Sequence, residues 1–483
     1  MRRREFIKMA AMGAPLFHIG CAGFGQGRRR QIAQGAKIRV ALIGCGHRMG
    51  EIIQLVLAEK VVAMVDPDPA CIAKLREKIA KIPGGSEAVA GSVNFSDYRE
   101  MFDKMGDSVD AVFICTPNHH HALAAVWAMK RGIHVYVEKP MALNVAEAKY
   151  MQRLAKETGV TTQVGNFGHS TRAMALCVKA LKEKVIGDIE DVWCYDDRCN
   201  ALDHRPPPST PPAGMNWDAW VGPAPWVDYY GPEGKRKVGL HPHDFHCWQG
   251  LGNGSIGNMG THIMDAPFYG LDLGLTPPTS VVAHVADFAC EGSWSYRTRL
   301  EWKFPALGDR GPINLHWFDG LREGLKFGDV NMSDWGYAEG GRPMQYLPEA
   351  LLKCERDYKL EKIPFASNGS LFVGTKGCIW FGHHTMVRFL PKSLGKDLTK
   401  KINWTMQSLE HVTEFYNAVR EGREANTGFT FSTPLAEALL LGNVATLGGR
   451  TGKVLKWDGS RITNDDGANA FLASTYRPGW ELR

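Results

Sequence analysis

The sequence predicts an α/β protein with two parts: a parallel sheet with helices on both faces, then an α/β region with a large, mainly antiparallel open sheet. Three observations support this. Short apolar runs alternate with amphipathic segments from Lys37 to Val164, a glycine-rich turn follows the first run, and after residue 166 strand-like runs occur without regular helices between them. Continuous apolar strands separated by helices are typical of a sheet buried on both faces. Strands without intervening helices favour antiparallel pairing.

The first part contains six predicted strands and five predicted helices. The strands are 38–43, 61–65, 93–95, 111–115, 134–137 and 161–164. The helices are 51–59, 68–82, 97–105, 119–131 and 145–158. Asn144 directly precedes the last helix, and its short amide side chain is suited to capping it.

The second part is less regular. The clearest strands are 189–195, 279–286, 297–304 and 312–317, and the clearest helices are 405–421 and 433–447. Residues 205–233 are rich in Pro and Trp and are predicted to form a long irregular loop, which in a compact domain is often functional. A chain of 483 residues suggests two or three domains. We expect boundaries at 36–165 and 166–483, after a leader of residues 1–35.

The net charge of +6 is confined to the leader. Residues 1–35 hold seven basic side chains and one acidic side chain, so residues 36–483 are neutral overall. A neutral body gives no electrostatic basis for binding nucleic acid.

The leader itself predicts export. Arg3-Arg4-Glu5-Phe6-Ile7-Lys8 resembles the twin-arginine motif, and the apolar stretch 9–20 that follows is too short to span a bilayer. We therefore expect a periplasmic or otherwise exported protein without a transmembrane segment. Lipid anchoring at Cys21 is less favoured, because His18 is a poor residue three positions before the cysteine.

The eleven cysteines are odd in number and lack zinc-site spacing. Several, such as Cys115, lie within apolar runs, as buried thiols do. We expect mostly free thiols and no metal.

The segment Gly44-Cys45-Gly46-His47-Arg48-Met49-Gly50 lies between the first strand and the first helix. Glycines at such a turn let backbone amides and the helix N-terminus meet a pyrophosphate, which predicts a Rossmann-type dinucleotide site. The contacting residues would be Gly44, Gly46, His47, Arg48 and Met49. Asp66, twenty residues after Gly46, is placed to bind the ribose 2′-hydroxyl, which favours NAD. The positive charge of Arg48 would weaken this preference, so NADP remains an alternative.

Two further segments follow strands of the same sheet. They supply Thr116, Pro117, Asn118 and His121 after the fourth strand, and Glu138 with Lys139 after the fifth. Ligands bind at the carboxyl ends of parallel strands, so these residues are expected beside the cofactor. Neighbouring residues on a helix point about 100° apart, so the run of histidines at 119–121 is not expected to bind one metal ion.

The chain resembles the Gfo/Idh/MocA oxidoreductase family. The resemblance rests on the glycine turn, Thr116-Pro117-Asn118-x-x-His121, Glu138-Lys139-Pro140 and Gly260-x-His262. It implies an N-terminal Rossmann domain and a C-terminal sheet that forms the substrate face and often the oligomer interface. A homo-oligomer, dimer or tetramer, and a small carbohydrate or cyclitol substrate are therefore expected.

The resemblance also implies catalytic roles. Lys139 would face the substrate beside the nicotinamide and His262 would be the catalytic histidine. The family usually has aspartate four residues before that histidine, where this chain has Asn258. Histidine is suited to accept a hydroxyl proton. Lys139 would stabilise alkoxide charge or act as the base itself.

Polar and aromatic residues elsewhere suggest a carbohydrate ligand. The candidates are Tyr195, Arg198, His243, Asp244, Trp248 and Asp265. The group around His241, His243 and His246 leaves a zinc site open as an alternative. Asp265, three residues after His262, would orient the imidazole or only stabilise local structure.

Three functions follow. The first is an exported NAD(P)-dependent oxidoreductase acting at a secondary alcohol carbon of a sugar, sugar derivative or cyclitol. The second is an NAD-dependent glycosidase, with transient oxidation, elimination and net hydrolysis. The third is a non-catalytic sugar or nucleotide binder, suggested by Asn258. Export favours tightly bound cofactor, because free NAD is not replenished outside the cytoplasm.

Overall fold

The computed structural model describes residues 29–231, 239–241, 244–327, 342–383, 385–399 and 410–482. The twin-arginine motif, Cys21 and His243 lie outside the described residues.

The first part is a six-stranded parallel sheet with the order β3-β2-β1-β4-β5-β6. Its strands are β1 Arg39–Ile43, β2 Lys60–Val65, β3 Val93–Phe95, β4 Ala111–Ile114, β5 His134–Val137 and β6 Thr162–Val164. Its helices are α1 His47–Val56, α2 Pro69–Ala80, α3 Gly85–Ala88, α4 Tyr98–Met105, α5 Asn118–Lys130 and α6 Val145–Thr158. This is the Rossmann arrangement, and the sequence-based fold prediction is confirmed.

Burial explains why the central strands read as continuous apolar runs. Every residue of β4 and β5 is buried, because helices cover both faces of the sheet. Helix α6 begins as expected, with the Asn144 side chain accepting a hydrogen bond from the Glu147 amide at 3.0 Å. Helix α1 begins earlier than predicted, at His47, because its first turn follows directly on the glycine turn.

The second part is an eight-stranded sheet with the order β13-β12-β11-β7-β10-β9-β8-β14. Its strands are β7 Ile189–Asp196, β8 Ser280–Asp287, β9 Arg297–Phe304, β10 Ile313–Gly320, β11 Gly369–Gly374, β12 Gly377–Gly382, β13 Met386–Leu390 and β14 Leu455–Lys456. Within this second sheet, β7–β10 is the one parallel pair among the described strands. The sheet is therefore mainly antiparallel, as predicted.

The described helices of the second part include several that the sequence did not predict. They are α7 Arg172–Lys182, α8 Trp217–Val221, α9 Thr261–Ile263, α10 Asp265–Gly270, α11 Glu349–Asp357, α12 Lys396–Thr399, α13 Glu410–Glu421 and α14 Phe429–Thr446. A π-helical turn, Ile256–Gly260, directly precedes α9. Short 3₁₀ helices are Gly106–Ser108, Phe167–Ser170, Asp244–Cys247, Leu273–Leu275, Arg342–Met344, Lys392–Gly395 and Asp466–Leu472.

Helix α14 connects the two sheets. It packs against α6 of the first part and β8 of the second, and is almost entirely buried. The Trp302 indole on β9 donates to the Ala438 carbonyl at 2.9 Å. The two sheets therefore share one continuous hydrophobic core. Among the described helices, none combines the length and the apolar composition that crossing a bilayer requires.

Candidate cofactor and substrate site

The glycine turn can be built only with glycine at position 44. Gly44 has φ of +86°, and a Cβ placed there would lie 2.6 Å from the Cys115 carbonyl carbon and 2.9 Å from the Thr116 amide nitrogen. The turn after β1 therefore lies directly against the end of β4. This close approach brings the two strand ends that frame the predicted dinucleotide site together.

Gly46 is the N-cap of α1, and no side chain caps this helix end in the described structure. A Cβ at Gly46 would have no described heavy atom within 4 Å, so the helix N-terminus faces open space. Nearby, the buried Thr116 hydroxyl has no hydrogen-bond partner among the described residues. Exposed helix amides and an unsatisfied hydroxyl fit a pyrophosphate at this place.

Asp66 lies at the end of β2 beside this turn. Its carboxylate accepts hydrogen bonds from the Cys45 amide at 2.7 Å and the Asp68 amide at 2.9 Å. Burial raises the pKa of Asp66 to about 7. Each carboxylate oxygen retains a further acceptor site, so Asp66 fits a ribose hydroxyl while it also holds the glycine turn in place.

The three residues that begin α1 have different surroundings. Arg48 forms ion pairs with Glu138 at 2.8 Å and Glu51 at 2.7 Å. The His47 side chain is 73% exposed. The Met49 side chain is fully buried in the core under α1, so the predicted cofactor contact of this residue could be made only by its backbone.

The histidines that begin α5 brace the backbone. The two ring nitrogens of His121 lie 2.8 Å from the Pro140 carbonyl oxygen and 2.9 Å from the Thr116 carbonyl oxygen, and the single N–H of the neutral ring donates to one of them. Burial lowers the pKa of His121 to about 4, and that of His119 likewise. His121 thus supports the strand ends instead of contacting a ligand, which corrects the prediction. Pro117 is the N-cap of the same helix.

Lys139 and Asn258 form the centre of the candidate active site. The Lys139 ammonium donates to the Asn258 side-chain oxygen at 2.7 Å and to its carbonyl oxygen at 3.3 Å. Burial lowers the pKa of Lys139 to about 8, and the positive charges of Arg198 and Arg48 act in the same direction. The π-helical turn that carries Asn258 is a feature that occurs often at functional sites.

His262 lies in α9, one turn after Asn258, and is partly exposed. Its Nδ1 is 2.7 Å from the side-chain oxygen of Asn166, a residue just after β6. Asn258 makes no described hydrogen bond to this imidazole, because its side chain bonds Lys139 and Asn200. The residue that holds the imidazole is therefore Asn166, which the sequence did not indicate.

Asp265 does not contact the imidazole of His262, contrary to one reading of the three-residue spacing. Its carboxylate bonds His169 at 2.9 Å and Asn166 at 2.9 Å, and the residue is completely buried. The π-helical turn before α9 and the break at Met264 change the helical phase, so residues three apart do not share a face here.

A second histidine that the sequence did not indicate faces the site. His383, in the turn between β12 and β13, has its ring centroid 5.1 Å from that of His262. Burial and the charges of Arg198 and Lys139 lower the pKa of His383 to about 4. Arg198 is therefore near Lys139 and His383, and its role in binding substrate stays a prediction. No sequence spacing would have found His383, because its neighbours come from other elements.

Two predicted substrate residues belong to hydrophobic clusters instead. Tyr195 is 0% exposed, and its hydroxyl bonds the Ala366 carbonyl and the Trp380 indole, both at 2.9 Å. Trp248 is buried and stacks on Tyr230 with ring centroids 5.0 Å apart. Neither side chain is open to a ligand.

The Pro- and Trp-rich segment lies across the carboxyl edge of the parallel sheet. We name the described residues from Asn200 to Asn253 the crossing segment. Its Asn216 amide donates to the Pro67 carbonyl after β2 at 2.8 Å, and its Trp220 carbonyl bonds His119 and His120 after β4 at 3.0 and 2.7 Å. The crossing segment thus connects the loops after β2 and β4, the two strands on either side of β1 and its glycine turn.

Other polar residues of the crossing segment have structural partners. Asp244 accepts a hydrogen bond from the Gly239 amide at 3.0 Å. His241 bonds Asp68, the N-cap of α2, at 3.2 Å. The thiol of Cys71 lies nearby, so that one possible metal-ligand atom from each of Asp68, Cys71 and His241 falls within 4.8 Å of the other two. This single hydrogen bond accounts for the contact between His241 and Asp68. Burial lowers the pKa of His241, although the hydrogen bond to Asp68 acts in the opposite direction.

The C-terminal residues fasten the crossing segment. Arg477 donates to the Gly222 carbonyl at 2.8 Å and pairs with Asp218 at 2.9 Å. Trp480 packs under the Arg99 guanidinium, 3.4 Å from its ring centroid. Arg477 thus holds the crossing segment at Gly222 and Asp218, and Trp480 packs the C-terminal residues against α4.

Comparison with known proteins agrees with this geometry. Residues 38–166 match the Gfo/Idh/MocA family, described as an oxidoreductase family with an NAD-binding Rossmann fold. The 2,7-anhydro-N-acetylneuraminate hydratase of Escherichia coli is 37% identical over 90 residues, 19% of this chain and 24% of that protein. The scyllo-inositol 2-dehydrogenase (NAD(+)) of Bacillus subtilis is 30% identical over 136 residues, 27% of this chain and 35% of that protein.

A third relative catalyses a different type of reaction according to its name. Glycosyl hydrolase family 109 protein 1 of Shewanella sp. is 30% identical over 176 residues, 35% of this chain and 38% of that protein. The matches to these three relatives thus span less than two fifths of each relative's length.

The fold has solved counterparts along most of the chain. The dehydrogenase WlbA from Chromobacterium violaceum, solved with NADH and UDP-GlcNAcA, has a TM-score of 0.56 at 16% identity and covers 89% of this chain and 99% of that chain. Residues 38–166 are thus similar in sequence to the NAD-binding Rossmann domain of the Gfo/Idh/MocA oxidoreductase family, and the sheet order and the glycine turn agree with that similarity.

Proposed function

We propose that the chain is an NAD-dependent oxidoreductase that acts at a secondary alcohol carbon of a sugar, sugar derivative or cyclitol. The observation that carries the proposal is that Lys139, bonded to Asn258, and His262 both lie near His383, while Glu138, next to Lys139, pairs with Arg48 of the glycine turn. Arg198 and His383 add hydrogen-bonding groups around the same place, as a polyhydroxylated ligand requires.

The residues divide the proton chemistry between them. His262 is placed to accept the proton of the substrate hydroxyl. Its Nδ1 bonds the Asn166 side-chain oxygen, so Nε2 is the ring nitrogen that would accept the proton. Lys139 donates to Asn258 with part of its ammonium and has a further N–H to stabilise the developing alkoxide. NAD, when bound, supplies the capacity to accept a hydride and to return it.

The crossing segment supports tight retention of the cofactor. It joins the loops after β2 and β4, and Arg477 holds its far side. A cofactor lying between these loops is released only when such contacts open. Tight retention, export through the leader and assembly into a homo-oligomer remain parts of this proposal.

The pH profile is expected to show an alkaline limb from Lys139. Because the pKa of Lys139 lies at about 8, its ammonium is lost above that pH, and the stabilisation of alkoxide charge is lost with it. We expect kcat/KM to fall as pH rises through about 8. In Lys139→Arg, whose guanidinium stays protonated, the plateau should be lower and this limb should disappear. A limb at the same pH in both proteins would assign it to another group.

A second candidate is an NAD-dependent glycosidase. It is favoured by the similarity to a glycosyl hydrolase family 109 protein and to an anhydro-sugar hydratase. In such a reaction the sugar is oxidised transiently, the aglycone is eliminated, water is added and the sugar is reduced again, so that the net change is hydrolysis. No pair of catalytic carboxylates is then required.

One incubation separates the two candidates. Purified protein is mixed with aryl glycosides, without added NAD, and release of the aglycone is followed by absorbance. Release that is lost in Lys139→Ala would favour the glycosidase. Absence of release, with NADH forming from added NAD and free sugars, would favour the dehydrogenase. Absence of both, with cofactor bound, would contradict the proposed activity and leave a binding protein.

A further inference from the structure

A buried chain of hydrogen bonds runs from His262 away from the substrate site. The Nδ1 atom of His262 lies 2.7 Å from Asn166 Oδ1. Asn166 Nδ2 donates to Asp265 Oδ2 at 2.9 Å and to the Thr261 carbonyl at 3.1 Å. Asp265 in turn accepts from His169 Nδ1 at 2.9 Å. Asn166, Asp265 and His169 are all buried.

The chemistry of these partners fixes the orientation of the Asn166 amide. A carbonyl oxygen can only accept, and the carboxylate of Asp265 accepts in the same direction. The NH₂ group of Asn166 must therefore face Thr261 and Asp265. Its oxygen is left facing His262, which agrees with the 2.7 Å contact.

The orientation of the amide in turn fixes the tautomer of His262. Asn166 Oδ1 is an acceptor, so the imidazole must carry its hydrogen on Nδ1 to bond it. In the neutral ring the lone pair then resides on Nε2. A base that is ready to accept a proton needs this lone pair, and a ring in the other tautomer lacks it.

We propose that Asn166 and Asp265 are positioning residues that hold His262 in its Nδ1–H tautomer and so keep Nε2 ready as the base. The proposal rests on the proposed function for its catalytic consequence. Its structural content, the tautomer, can be measured without turnover.

The proposal also explains the asparagine at position 258. Asn258 has no charge and its side chain bonds Lys139 and Asn200, so it does not orient the imidazole. The acidic group that acts on His262 lies instead three residues after it, and acts through Asn166. His169 completes the arrangement, because it saturates Asp265 and is itself fixed by stacking on Tyr269, with centroids 4.4 Å apart.

The first test removes the acceptor without changing the volume much. Asn166→Leu should lower kcat by about 10²-fold, because the imidazole is free to adopt the wrong tautomer. Asn314→Leu is the matched control, since Asn314 also donates to an aspartate, Asp191 at 3.2 Å, and has no described contact with Lys139 or His262. The control should retain its kcat. Equal kcat values in Asn166→Leu and wild type would overturn the proposal.

The second test exchanges the two side chains. Asn166→Asp alone places two carboxylates in buried contact and should be inactive or unstable. Adding Asp265→Asn restores a donor that faces position 166, and leaves a carboxylate that accepts from His262 Nδ1. We expect the double variant to regain at least about tenfold in kcat over Asn166→Asp, because the hydrogen bonds between position 166 and His262 and between positions 166 and 265 again have a donor and an acceptor, and only the bond to the Thr261 carbonyl is lost.

The exchange has a signature that a purely structural role would not produce. Protonation of His262 removes the base, so kcat/KM should fall at acid pH. A carboxylate in direct contact with His262 stabilises the imidazolium, so this acid limb of kcat/KM should move to higher pH by about one unit or more. The described groups near this ring include His383, which contacts it, and Lys139 and Arg198, which lie near His383. They are unchanged by the exchange. An unmoved limb, or no recovery of kcat, would overturn the proposal.

The tautomer itself is read by ¹⁵N solid-state NMR of histidine-labelled protein, with the signal assigned by its loss in His262→Gln. The proposal expects a protonated Nδ1 and an unprotonated Nε2 in the wild type, and a mixture in Asn166→Leu. An unprotonated Nδ1 in the wild type would refute it. A protonated Nδ1 in a protein with no turnover would keep the positioning role and refute only the proposed function.

Discussion

Replacing His262 by glutamine is expected to lower kcat by about 10³-fold, within the range that a lost general base causes. Glutamine keeps the size and a hydrogen-bonding group, but it cannot accept the proton of the substrate hydroxyl. Because His262 is held by Asn166 and not by the cofactor site, NAD binding should be unchanged. The measurement is steady-state turnover together with the fraction of protein that carries NAD.

The control for this variant is His284→Gln. His284 lies on β8 and bonds Glu301 at 3.2 Å, so it tests the loss of a histidine outside the candidate site. Its kcat should equal that of the wild type. If His262→Gln retains full kcat, His262 is not the base, and the same experiment on Lys139 would decide whether the lysine takes that role.

Replacing Gly44 by alanine is expected to destabilise the protein by about 3 kcal/mol, because backbone strain and steric overlap add. Gly44 has φ of +86°, a value that alanine adopts only at a cost, and its new Cβ would lie 2.6 Å from the Cys115 carbonyl carbon. The turn and the end of β4 would have to separate. Urea-induced unfolding measures the loss.

Gly46→Ala is the matched variant at the same turn. Gly46 has φ of −76°, and no described heavy atom lies within 4 Å of the added Cβ, so stability should change by less than about 0.5 kcal/mol. The methyl group would occupy the space assigned to the pyrophosphate, so NAD affinity should fall by about tenfold or more. Unchanged affinity in Gly46→Ala, or unchanged stability in Gly44→Ala, would contradict the account of the turn.

The parallel sheet could be predicted from the sequence because its signals are local. Each strand is a short apolar run, each run ends at a turn residue, and the helices between them are amphipathic. Gly44, Gly46 and Asp66 follow from the same local order. Lys139 and His262 could be assigned roles only through the resemblance, since nothing in their spacing brings them together.

The errors come from features that spacing does not encode. One of the two readings of Asp265 was that it orients the His262 imidazole directly, but the π-helical turn and the break at Met264 alter the helical phase between the two residues. Tyr195 was expected to face a ligand. It packs instead under α11, in a cluster with Leu351 and Cys354, and the sequence analysis had not predicted this helix. A strand's covered face cannot be identified when the covering helix is unknown.

His383 and Asn166 were missed for a related reason. Each is a single polar residue in a turn or after a strand, and each gains its role only from residues far away in the chain. The 5.1 Å contact between His383 and His262 joins two segments 121 positions apart, and no periodicity predicts it.

Native mass spectrometry of the purified protein, without added nucleotide, tests the central claim most directly. The account predicts one NAD for each chain, retained through gel filtration in the wild type and lost in Gly46→Ala. Protein that carries no NAD, and captures none when NAD is added, would contradict it.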